Sequence, residues 1–268
     1  MINFMLTWLI AAQALVTTSA QTVGKFTHSL GPFDVSYVVN EDHEVSFVLS
    51  SNRPGLPNYH SFGPYPLIEV TPSTYTVDFK GAKDNVDAWY NTLVAYMIAS
   101  GMVDPVHMPP LAGIKKGDLV TLTYLGTFTF TTQLRSGAIS CELVSREMRD
   151  GVYVYKEAGD PSPFEVHFDT SKRSRGSPLH IWIGCYKNFV KNPYELYYYR
   201  TVSLPYGPYV LGSGSEGYVK DLFRRARQPC PTKHFDDNDL KKVIAVNERT
   251  IYATFAGATR ALTYRGPV

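Results

Sequence analysis

Two nine-residue stretches in different halves of the chain resemble each other. GPFDVSYVV begins at Gly31 and SPFEVHFDT begins at Ser162; each places an acidic residue between Phe and Val, with an aromatic residue two positions further on. The two phenylalanines, Phe33 and Phe164, lie 131 positions apart in a chain of 268 residues. A second match at the same spacing indicates a copied module, which restricts the fold to architectures that can be built twice.

Such a match lies near the end of each half. Thr-Tyr-Leu-Gly at 123–126 and Thr-Phe-Ala-Gly at 254–257 share the pattern Thr-aromatic-aliphatic-Gly, again 131 positions apart. Between these anchors each half has one helix-like segment, around Trp89 and around Leu222, at an offset of 133. Equal offsets at both ends with a small drift between them are what duplication followed by loop changes leaves. We therefore predict two tandem, similar modules.

Each module is predicted to combine strands with one helix. The 19 Tyr and 14 Phe residues favour strands. Strands are predicted at Phe33–Val39 and Thr250–Phe255, and period-two alternation predicts two more, at Val45, Phe47 and Leu49 and at Leu179, Ile181 and Ile183. Apolar residues recur at helical spacing in two segments. These residues are Val86, Trp89, Leu93 and Met97 in the first, and Val219, Leu222, Phe223 and Ala226 in the second. The predicted fold class is α+β: two tandem similar modules, each a mainly antiparallel β-sheet with one packed helix.

The helix ends are predicted from capping residues. Asp84 is expected to cap the first helix and Gly101 to end it. The second helix is expected to run roughly from Gly217 to Gln228, where Pro229 stops it.

The first 20 residues resemble a secretory signal peptide. They contain no charged side chain, and an apolar run from Phe4 to Val16 is followed by small residues ending at Ala20. The usual Lys or Arg near the start is missing, and an uncleaved N-terminal anchor is the alternative. A membrane span needs about 20 apolar residues, so the run is short for one. The predicted organisation is a signal peptide (1–20), a first module (21–135), a linker (136–150) and a second module (151–268), in a protein that is secreted or held in the secretory-pathway lumen, with no stable membrane span after cleavage.

The chain has three cysteines, Cys141, Cys185 and Cys230, and export permits disulfides. An odd number leaves at least one thiol free or paired with another chain. Spacing does not choose among the three pairings. We predict Cys185–Cys230, because it joins two positions of one module, and this pairing leaves Cys141 for a disulfide-linked dimer.

The two halves differ in charge. Residues 21–150 contain 9 Lys and Arg against 13 Asp and Glu, a net charge of −4, whereas residues 151–268 contain 17 against 11, a net charge of +6. A basic module attracts polyanions, although docking of the two modules, the helix dipole or simple solvation also accounts for such charges. The candidate polyanion-binding residues are Lys172, Arg173, Arg175, Arg224, Arg225 and Arg227. Nucleic acid is not an expected partner, because the basic clusters lack interleaved aromatic residues.

A tyrosine-rich stretch, LYYYRTVSLPYGPYV, covers residues 196–210. Tyr combines a flat apolar ring with a polar tip, which suits contacts with sugars and proteins. Alternation along a strand places Tyr197 and Tyr199 on one face and Tyr198 on the other, so part of the set is core. The candidate aromatic surface consists of Tyr197, Tyr199, Tyr206 and Tyr209.

No motif indicates a catalytic or metal site. GSGSEG, at 212–217, matches a phosphate-binding pattern, but too little chain surrounds it for a dinucleotide fold, and we expect a loop with Ser215 as the helix cap. HFDDNDL, at 234–240, lacks the Gly and the distal Glu of a calcium loop. HExxH, CxxC and GxSxG are absent from the sequence. We therefore predict no cofactor and no metal, and we favour a role other than catalysis.

These patterns favour a secreted, non-enzymatic binding protein. Its basic second module is expected to contact a partner protein or an anionic glycan or lipid surface. Two alternatives stay open. One is a secreted hydrolase with a site between the modules, assembled from residues distant in sequence. The other is a structural surface protein linked by disulfides through the odd cysteine.

Overall fold

The computed structural model describes residues 21–55, 59–82, 85–103, 114–157, 164–170, 178–192, 196–200 and 207–267. Of the described residues, 50% lie in strands and 13% in helices. The predicted signal peptide lies outside them. The strands are β1 (Gly24–Leu30), β2 (Phe33–Val39), β3 (Glu44–Ser51), β4 (Tyr59–Thr71), β5 (Thr74–Val77), β6 (Thr121–Gly126), β7 (Thr129–Leu134), β8 (Gly137–Leu143), β9 (Val152–Lys156), β10 (Glu165–Asp169), β11 (Pro178–Cys185), β12 (Asn188–Lys191), β13 (Leu196–Arg200), β14 (Tyr209–Leu211), β15 (Lys242–Ala245), β16 (Thr250–Phe255) and β17 (Ala258–Gly266). The helices are α1 (Val86–Ala99), between β5 and β6, and α2 (Glu216–Ala226), between β14 and β15.

The fold is not the predicted α+β arrangement. β1 to β8 pair antiparallel in chain order, and β8 pairs back to β1, which closes a first barrel. In the second module β9, β10, β11, β13, β14, β15, β16 and β17 form a second closed ring, with β12 as an additional strand on β11. Each module is therefore an eight-stranded up-and-down barrel. The described α-helix of each module is a connection between two strands and not a layer on an open sheet.

The prediction of open sheets failed at the strands that close the rings. The sequence predicts a linker over 136–150, but residues 137–143 form β8, in which only Cys141 and Leu143 are buried. β17 was also missed; Leu262 is its only buried residue. β8 does alternate with period two at Ile139, Cys141 and Leu143, a signal that the linker prediction overlooked, whereas β17 has two large apolar side chains, Leu262 and Tyr264. Without β8 and β17, each module is predicted as an open sheet.

The two barrels correspond element by element. β1 to β5 match β9, β10, β11, β13 and β14, the helices match each other, and β6 to β8 match β15 to β17, so β12 is the one addition among the described elements. The repeated motif occupies the second strand of each barrel, where its residues are buried at equivalent positions. These residues are Phe33, Val35 and Tyr37 in the first barrel and Phe164, Val166 and Phe168 in the second. The correspondence supports duplication of one module.

Aromatic side chains fill the first barrel. Phe26 on β1 contacts Phe130 on β7, with ring centroids 4.9 Å apart. Phe130 contacts Tyr37 at 5.1 Å, and Tyr37 contacts Phe47 on β3 at 5.1 Å. An eight-stranded barrel has room for its own side chains or for one small ligand. Here a chain of rings from four strands occupies that room.

Each end of the first barrel is covered. At one end α1 brings Trp89 to within 5.7 Å of the Phe47 ring and 5.9 Å of the Phe62 ring. At the other end, residues on the outer wall of the second barrel join the apolar core of the first. They are Ile244, Val246 and Tyr252. The Tyr252 hydroxyl also accepts a hydrogen bond from the Val23 N–H at 3.1 Å, which ties the start of β1 to the second barrel.

The second barrel is closed in a similar way. α2 buries its predicted stripe, and the Phe223 ring stacks on Phe235 at 5.1 Å, which in turn lies 6.1 Å from Phe164. At the opposite end Met148 joins the core, and its N–H donates to the Tyr209 hydroxyl at 3.0 Å. The segment after β8 therefore plugs the second barrel as well as connecting the two.

The helix caps differ in part from prediction. Asn85 caps α1 by accepting a hydrogen bond from the Ala88 N–H at 2.8 Å, whereas Asp84 lies outside the described residues. Ser215 precedes α2 but its side chain makes no capping hydrogen bond; its hydroxyl accepts from the Tyr197 N–H at 3.0 Å instead. The sequence identified both helices and their buried stripes, and tertiary contacts decided how their first turns are satisfied.

Cys185 and Cys230 form a disulfide, with Cα atoms 5.4 Å apart, which is the predicted pairing. Cys141 on β8 is fully buried, and burial raises the pKa of its thiol to about 12. A thiol with so high a pKa, inside a filled barrel, is a poor partner for exchange. A dimer linked through Cys141 therefore requires the first barrel to open, and it remains a prediction.

Candidate functional site

The outer face of the second barrel carries aromatic rings that its core does not use. Directly paired residues of neighbouring strands point to the same face. His167, Trp182 and Lys191 are paired across β10, β11 and β12 and so form one row on the outside. The next row, towards the start of β11, pairs Asp169 with His180. The alternate residues of these strands point inward and are buried: Val166, Phe168, Ile181 and Ile183.

Phe189 is held on this face by a glycine beneath it. A Cβ built on Gly184 would come within 2.5 Å of the Phe189 ring, so the ring lies directly over the backbone of β11. Phe189 as a whole is 43% exposed. The His167 ring lies 5.2 Å from it. The absence of a side chain at Gly184 therefore positions the ring.

The same arrangement recurs on β13. Tyr197 and Tyr199 are 36% and 58% exposed, while Tyr198 points towards the core and donates a hydrogen bond to the Leu240 carbonyl at 2.5 Å. A Cβ on Gly212 would lie 2.4 Å from the Tyr199 ring. Because Tyr197 pairs with Pro178, the tyrosines continue the outer face past the start of β11. We call the surface formed by His167, Trp182, Phe189, Tyr197 and Tyr199 the aromatic face.

Charges of both signs border the aromatic face. The Lys191 ammonium lies 4.8 Å from the centroid of the Trp182 ring. Glu165 accepts from Lys156 and from His167, each at 3.1 Å. Partial burial tends to raise the pKa of Glu165, but the hydrogen bonds from His167 and Lys156 outweigh it and the pKa is lowered. Glu165 is thus ionised at neutral pH and fixes the His167 ring.

The predicted polyanion-binding residues do not form one free cationic surface in the described part of the chain. Lys172, Arg173 and Arg175 lie outside the described residues. Arg224 is 74% exposed and pairs with Asp221 on its own helix. Arg225 donates to the Lys191 carbonyl at 3.3 Å, and Arg227 donates to the Phe235 carbonyl at 3.4 Å. These two arginines fasten the end of α2 to β12 and to the segment that follows the helix.

The residues of the predicted aromatic surface are not all at the surface. Tyr197 and Tyr199 are outward and exposed. Tyr209 is 5% exposed and belongs to the core, because it occupies an inward position of β14 and its hydroxyl is used by Met148. Tyr206 lies outside the described residues.

Sequence reasoning missed Trp182, Phe189 and His167. The alternation of Leu179, Ile181 and Ile183 identified the core side of β11 and thereby also its outer side, on which Trp182 lies. The signal was therefore present in the residues between the apolar ones. Phe189 had no such signal, because β12 has no counterpart in the first module.

The glycine-rich stretch is tied to β13 and is not arranged as a phosphate cradle. The Gly212 N–H donates to the Tyr197 carbonyl at 2.8 Å, and Ser213–Ser215 form a single 3-10 turn before α2. The nearby acidic stretch closes a turn. Asp239 accepts from the N–H groups of Asp236 and Ala256 at 3.2 and 2.9 Å, and burial raises its pKa. Within the described ranges no three His, Cys, Asp or Glu side chains cluster in a way that would hold a metal ion.

Three histidines have described hydrogen bonds, and none of these bonds forms a nucleophile–base pair. His28 contacts the Ser140 carbonyl at 2.7 Å, His43 contacts the Gln21 side chain at 2.8 Å, and His167 contacts Glu165. The junction between the barrels, where the alternative hypothesis expects a hydrolytic site, contains the apolar residues Ile244 and Val246. The hydrolase hypothesis remains a prediction without named residues.

Comparison with known proteins gives no match: no protein-family model, no curated protein and no solved structure is significantly similar to this chain. In the ranges that the structure describes, neither helix has the length and apolar character needed to cross a membrane.

Proposed function

We propose that the chain is a non-enzymatic binding protein that contacts a partner protein through the aromatic face. One observation carries the proposal. The rings of Phe189, Tyr197 and Tyr199 are exposed, and that of Trp182 is half-buried, on the outside of a barrel whose interior is already filled, so they are not needed for the core. Trp and Tyr are the residues that most often dominate the energy of protein interfaces. Clusters of exposed apolar residues typically mark such a contact, and the pairing of Tyr197 with Pro178 places the tyrosines on the strand next to that of Trp182.

The surroundings of the aromatic face favour a protein over a polyanion. Protein interfaces combine an aromatic centre with a polar rim of mixed charge. Here Glu165 and Asp169 lie on the same outer face as Lys156 and Lys191. A polyanion requires one sign of charge across the contact, which this face lacks.

The rigidity of the surface supports the same proposal. The rings of Phe189 and Tyr199 lie against glycine backbone on paired strands, so they are held in place before any partner arrives. Ordering flexible side chains costs about 0.5–1.5 kcal/mol each on association, and a surface built in this way avoids part of that cost.

Photo-crosslinking tests the proposal. A photoreactive phenylalanine analogue is placed at Tyr199 and, as the matched control, at Tyr59 on the first barrel, which is 61% exposed. The proteins of the compartment into which the chain is delivered are then irradiated with each variant. We expect a discrete covalent adduct from position 199, which unlabelled wild-type protein suppresses by competition. The variant carrying Trp182→Ser and Phe189→Ser should not compete.

Two outcomes would contradict the proposal. Adducts of equal yield and identity from positions 199 and 59 would show that the reactive group reports only on exposure. Competition by the Trp182→Ser and Phe189→Ser variant as strong as that by wild type would show that the aromatic face takes no part in the contact.

The net charge of +6 over residues 151–268 favours a second candidate, binding of a sulfated glycan or another polyanion. Retention on an immobilised sulfated polysaccharide, eluted with a salt gradient, tests it. The comparison is with a variant in which all six predicted basic residues are changed to Ser: Lys172, Arg173, Arg175, Arg224, Arg225 and Arg227. Elution of wild type well above physiological salt, with loss of retention in the variant, would favour the polyanion. Equal flow-through of both would remove this candidate.

A further inference from the structure

A cavity of about 470 Å³ opens on the first barrel, far in sequence from the aromatic face. It lies between the end of β5, the first turn of α1 and the turn that leads into β6. Its apolar walls are Val77, Phe79, Val86 and Val120. Pockets for small molecules in proteins typically have volumes of about 300–1,000 Å³ and mainly apolar walls; this cavity has such a volume and such walls, and it is shallow and widely open to solvent.

The apolar floor is part of the rigid core. The Phe79 ring lies 5.1 Å from Tyr65 and 5.6 Å from Trp89, both of which are buried. Val77 ends β5, and Val120 directly precedes β6 and accepts a hydrogen bond from the Val77 N–H at 2.9 Å. These walls are therefore held by the barrel itself.

Tyr90 on α1 holds the turn before β6, which forms the third side of the cavity. The Tyr90 hydroxyl accepts a hydrogen bond from the Gly117 N–H at 2.7 Å and donates one to the Asp118 carbonyl at 3.0 Å. This pair of bonds joins α1 to the turn before β6 across the cavity. A Cβ built on Gly117 would meet no atom within 4 Å, which shows open space beside that turn.

The rim of the cavity is positively charged. Lys80 and Lys116 both line it, and among the described residues neither forms an ion pair. Asp78 also lines it, and one of its carboxylate oxygens accepts from the Lys80 N–H at 2.9 Å. The neighbouring Asp118 carboxylate is used by the N–H groups of Lys115 and Arg135. Among the described lining residues, two ammonium groups and one carboxylate give a net charge of +1, which matches one monoanionic head group.

We propose that this cavity binds a small amphipathic monoanion, a carboxylate with an apolar tail such as a medium-chain fatty acid. The tail packs on Val77, Phe79 and Val120, and the carboxylate lies between Lys80 and Lys116. Hydrogen bonds between an ammonium group and a carboxylate are about twice as strong as neutral ones, so the two lysines select for the charged head group.

The corresponding place in the second barrel is built differently. There the stretch between β14 and α2 is fastened to β13 by Gly212 and Ser215, which bond to the backbone of Tyr197. In the first barrel the stretch between β5 and α1 instead borders the cavity. The site is thus a feature by which the two copies of the module differ, and it is independent of the aromatic face.

Calorimetric titration of the full chain with decanoate, below its micelle concentration and at physiological salt, tests the site. We expect saturable binding of one equivalent. Binding should weaken by at least about tenfold in the double variant Lys80→Gln and Lys116→Gln, because both charge-assisted contacts to the carboxylate are lost. The matched control, Lys187→Gln with Lys242→Gln on the second barrel, removes the same charge and should bind decanoate as wild type does.

Two further measurements distinguish the contribution of the head group to binding from that of the tail. Decanol, with the same tail and no charge, should bind at least about tenfold more weakly than decanoate, and inorganic phosphate should not compete. Val86→Trp, which fills the cavity from α1, should abolish binding while the unfolding temperature stays near that of wild type. The proposal would be overturned if wild type showed no saturable binding, if decanol bound as well as decanoate, or if phosphate competed. It would also be overturned if binding were unchanged in the Lys80 and Lys116 variant or in the Val86 variant.

Discussion

Glycines beneath exposed rings are a recurring device at the residue scale. Gly184 lies under Phe189, and Gly212 lies under Tyr199, with a virtual Cβ at 2.5 and 2.4 Å from the respective ring. Both positions are on or next to strands, where glycine normally weakens packing. At these two sites the missing Cβ of the glycine leaves room for an aromatic ring from the adjacent strand.

The first prediction concerns Gly184. We expect Gly184→Val to displace the Phe189 ring and to lower the free energy of unfolding by about 1–3 kcal/mol, as overpacking commonly does. Denaturant unfolding measures the change. Gly214→Ala is the matched control, since its Cβ would meet no atom within 4 Å. Equal effects of the two substitutions would show that the ring is not held by the glycine.

The second prediction concerns the Cys141 thiol. Because its pKa is raised from 9.0 to about 12, it should resist a thiol reagent at pH 8 in the native protein and react once the protein is unfolded. The raised pKa means that this group contributes stability below the unfolded pKa, and that the contribution is lost as the pH rises from about 9 towards 12. Rapid labelling of the native protein at pH 8 would contradict the buried position of Cys141.

At the element scale, α1 closes one end of the first barrel. Trp89 contacts Phe47 and Phe62 of the barrel and Phe79 beside the cavity. A helix in this position buries one large ring between the strand ends, where its stripe of apolar residues meets the core.

We therefore expect Trp89→Ala to lower the free energy of unfolding by about 3–5 kcal/mol, the usual cost of removing a buried large aromatic side chain. Trp182→Ala, which removes the same side chain from the outer face of the second barrel, should cost much less. Thermal and denaturant unfolding of the two variants checks this. Equal losses would mean that α1 does not close the barrel.

The disulfide joins two elements of the second barrel. Cys185 ends β11 and Cys230 follows α2, and the two cysteines are 45 positions apart in sequence. We expect the double substitution Cys185→Ala with Cys230→Ala to lower the free energy of unfolding by about 2–4 kcal/mol, because the unfolded chain is no longer constrained. Wild-type protein in reducing denaturant should behave like the variant. An unfolding curve that the double substitution leaves unchanged would contradict this expectation.

On the scale of the whole molecule, the second barrel covers one end of the first. Ile244, Val246 and Tyr252 belong to strands or turns of the second barrel, yet they complete the apolar core of the first. Hydrogen bonds accompany this contact, from the Asn247 side chain to Glu41 at 2.7 Å and from Val23 to Tyr252.

Coupling between the barrels is the last prediction. Wild-type protein should unfold in one calorimetric transition, because an apolar contact shared by two cores makes them cooperative. Tyr252→Ala combined with Val246→Ser should separate this into two transitions, of which the first barrel melts at the lower temperature. Tyr218→Ala, on the exposed side of α2, is the control and should leave a single transition. A single transition in the double variant would show that the barrels are coupled elsewhere.

Most of the secondary structure was readable from local patterns. The strands that carry alternating apolar residues, such as β2, β3, β11 and β16, were predicted close to their observed bounds, and the stripe of α2 was predicted residue by residue. Two strands that were not predicted are those whose place in the fold can be identified only from the strands with which they pair. β8 and β17 complete their rings by pairing with β1 and β9, and even the alternation of Ile139, Cys141 and Leu143 in β8 does not indicate which strand is the partner.

The sequence by itself determined that there are two similar modules and which residues of the alternating strands face inward, because periodicity and repetition are properties of a single stretch of chain. The tertiary structure alone decided that the sheets close into barrels, that Trp182, Phe189 and Tyr199 share one outer face, and that Lys80 and Lys116 border one cavity. Each of these facts depends on the register between strands, or on the meeting of a helix with a distant turn. Such contacts join residues far apart in sequence, and no local pattern records them.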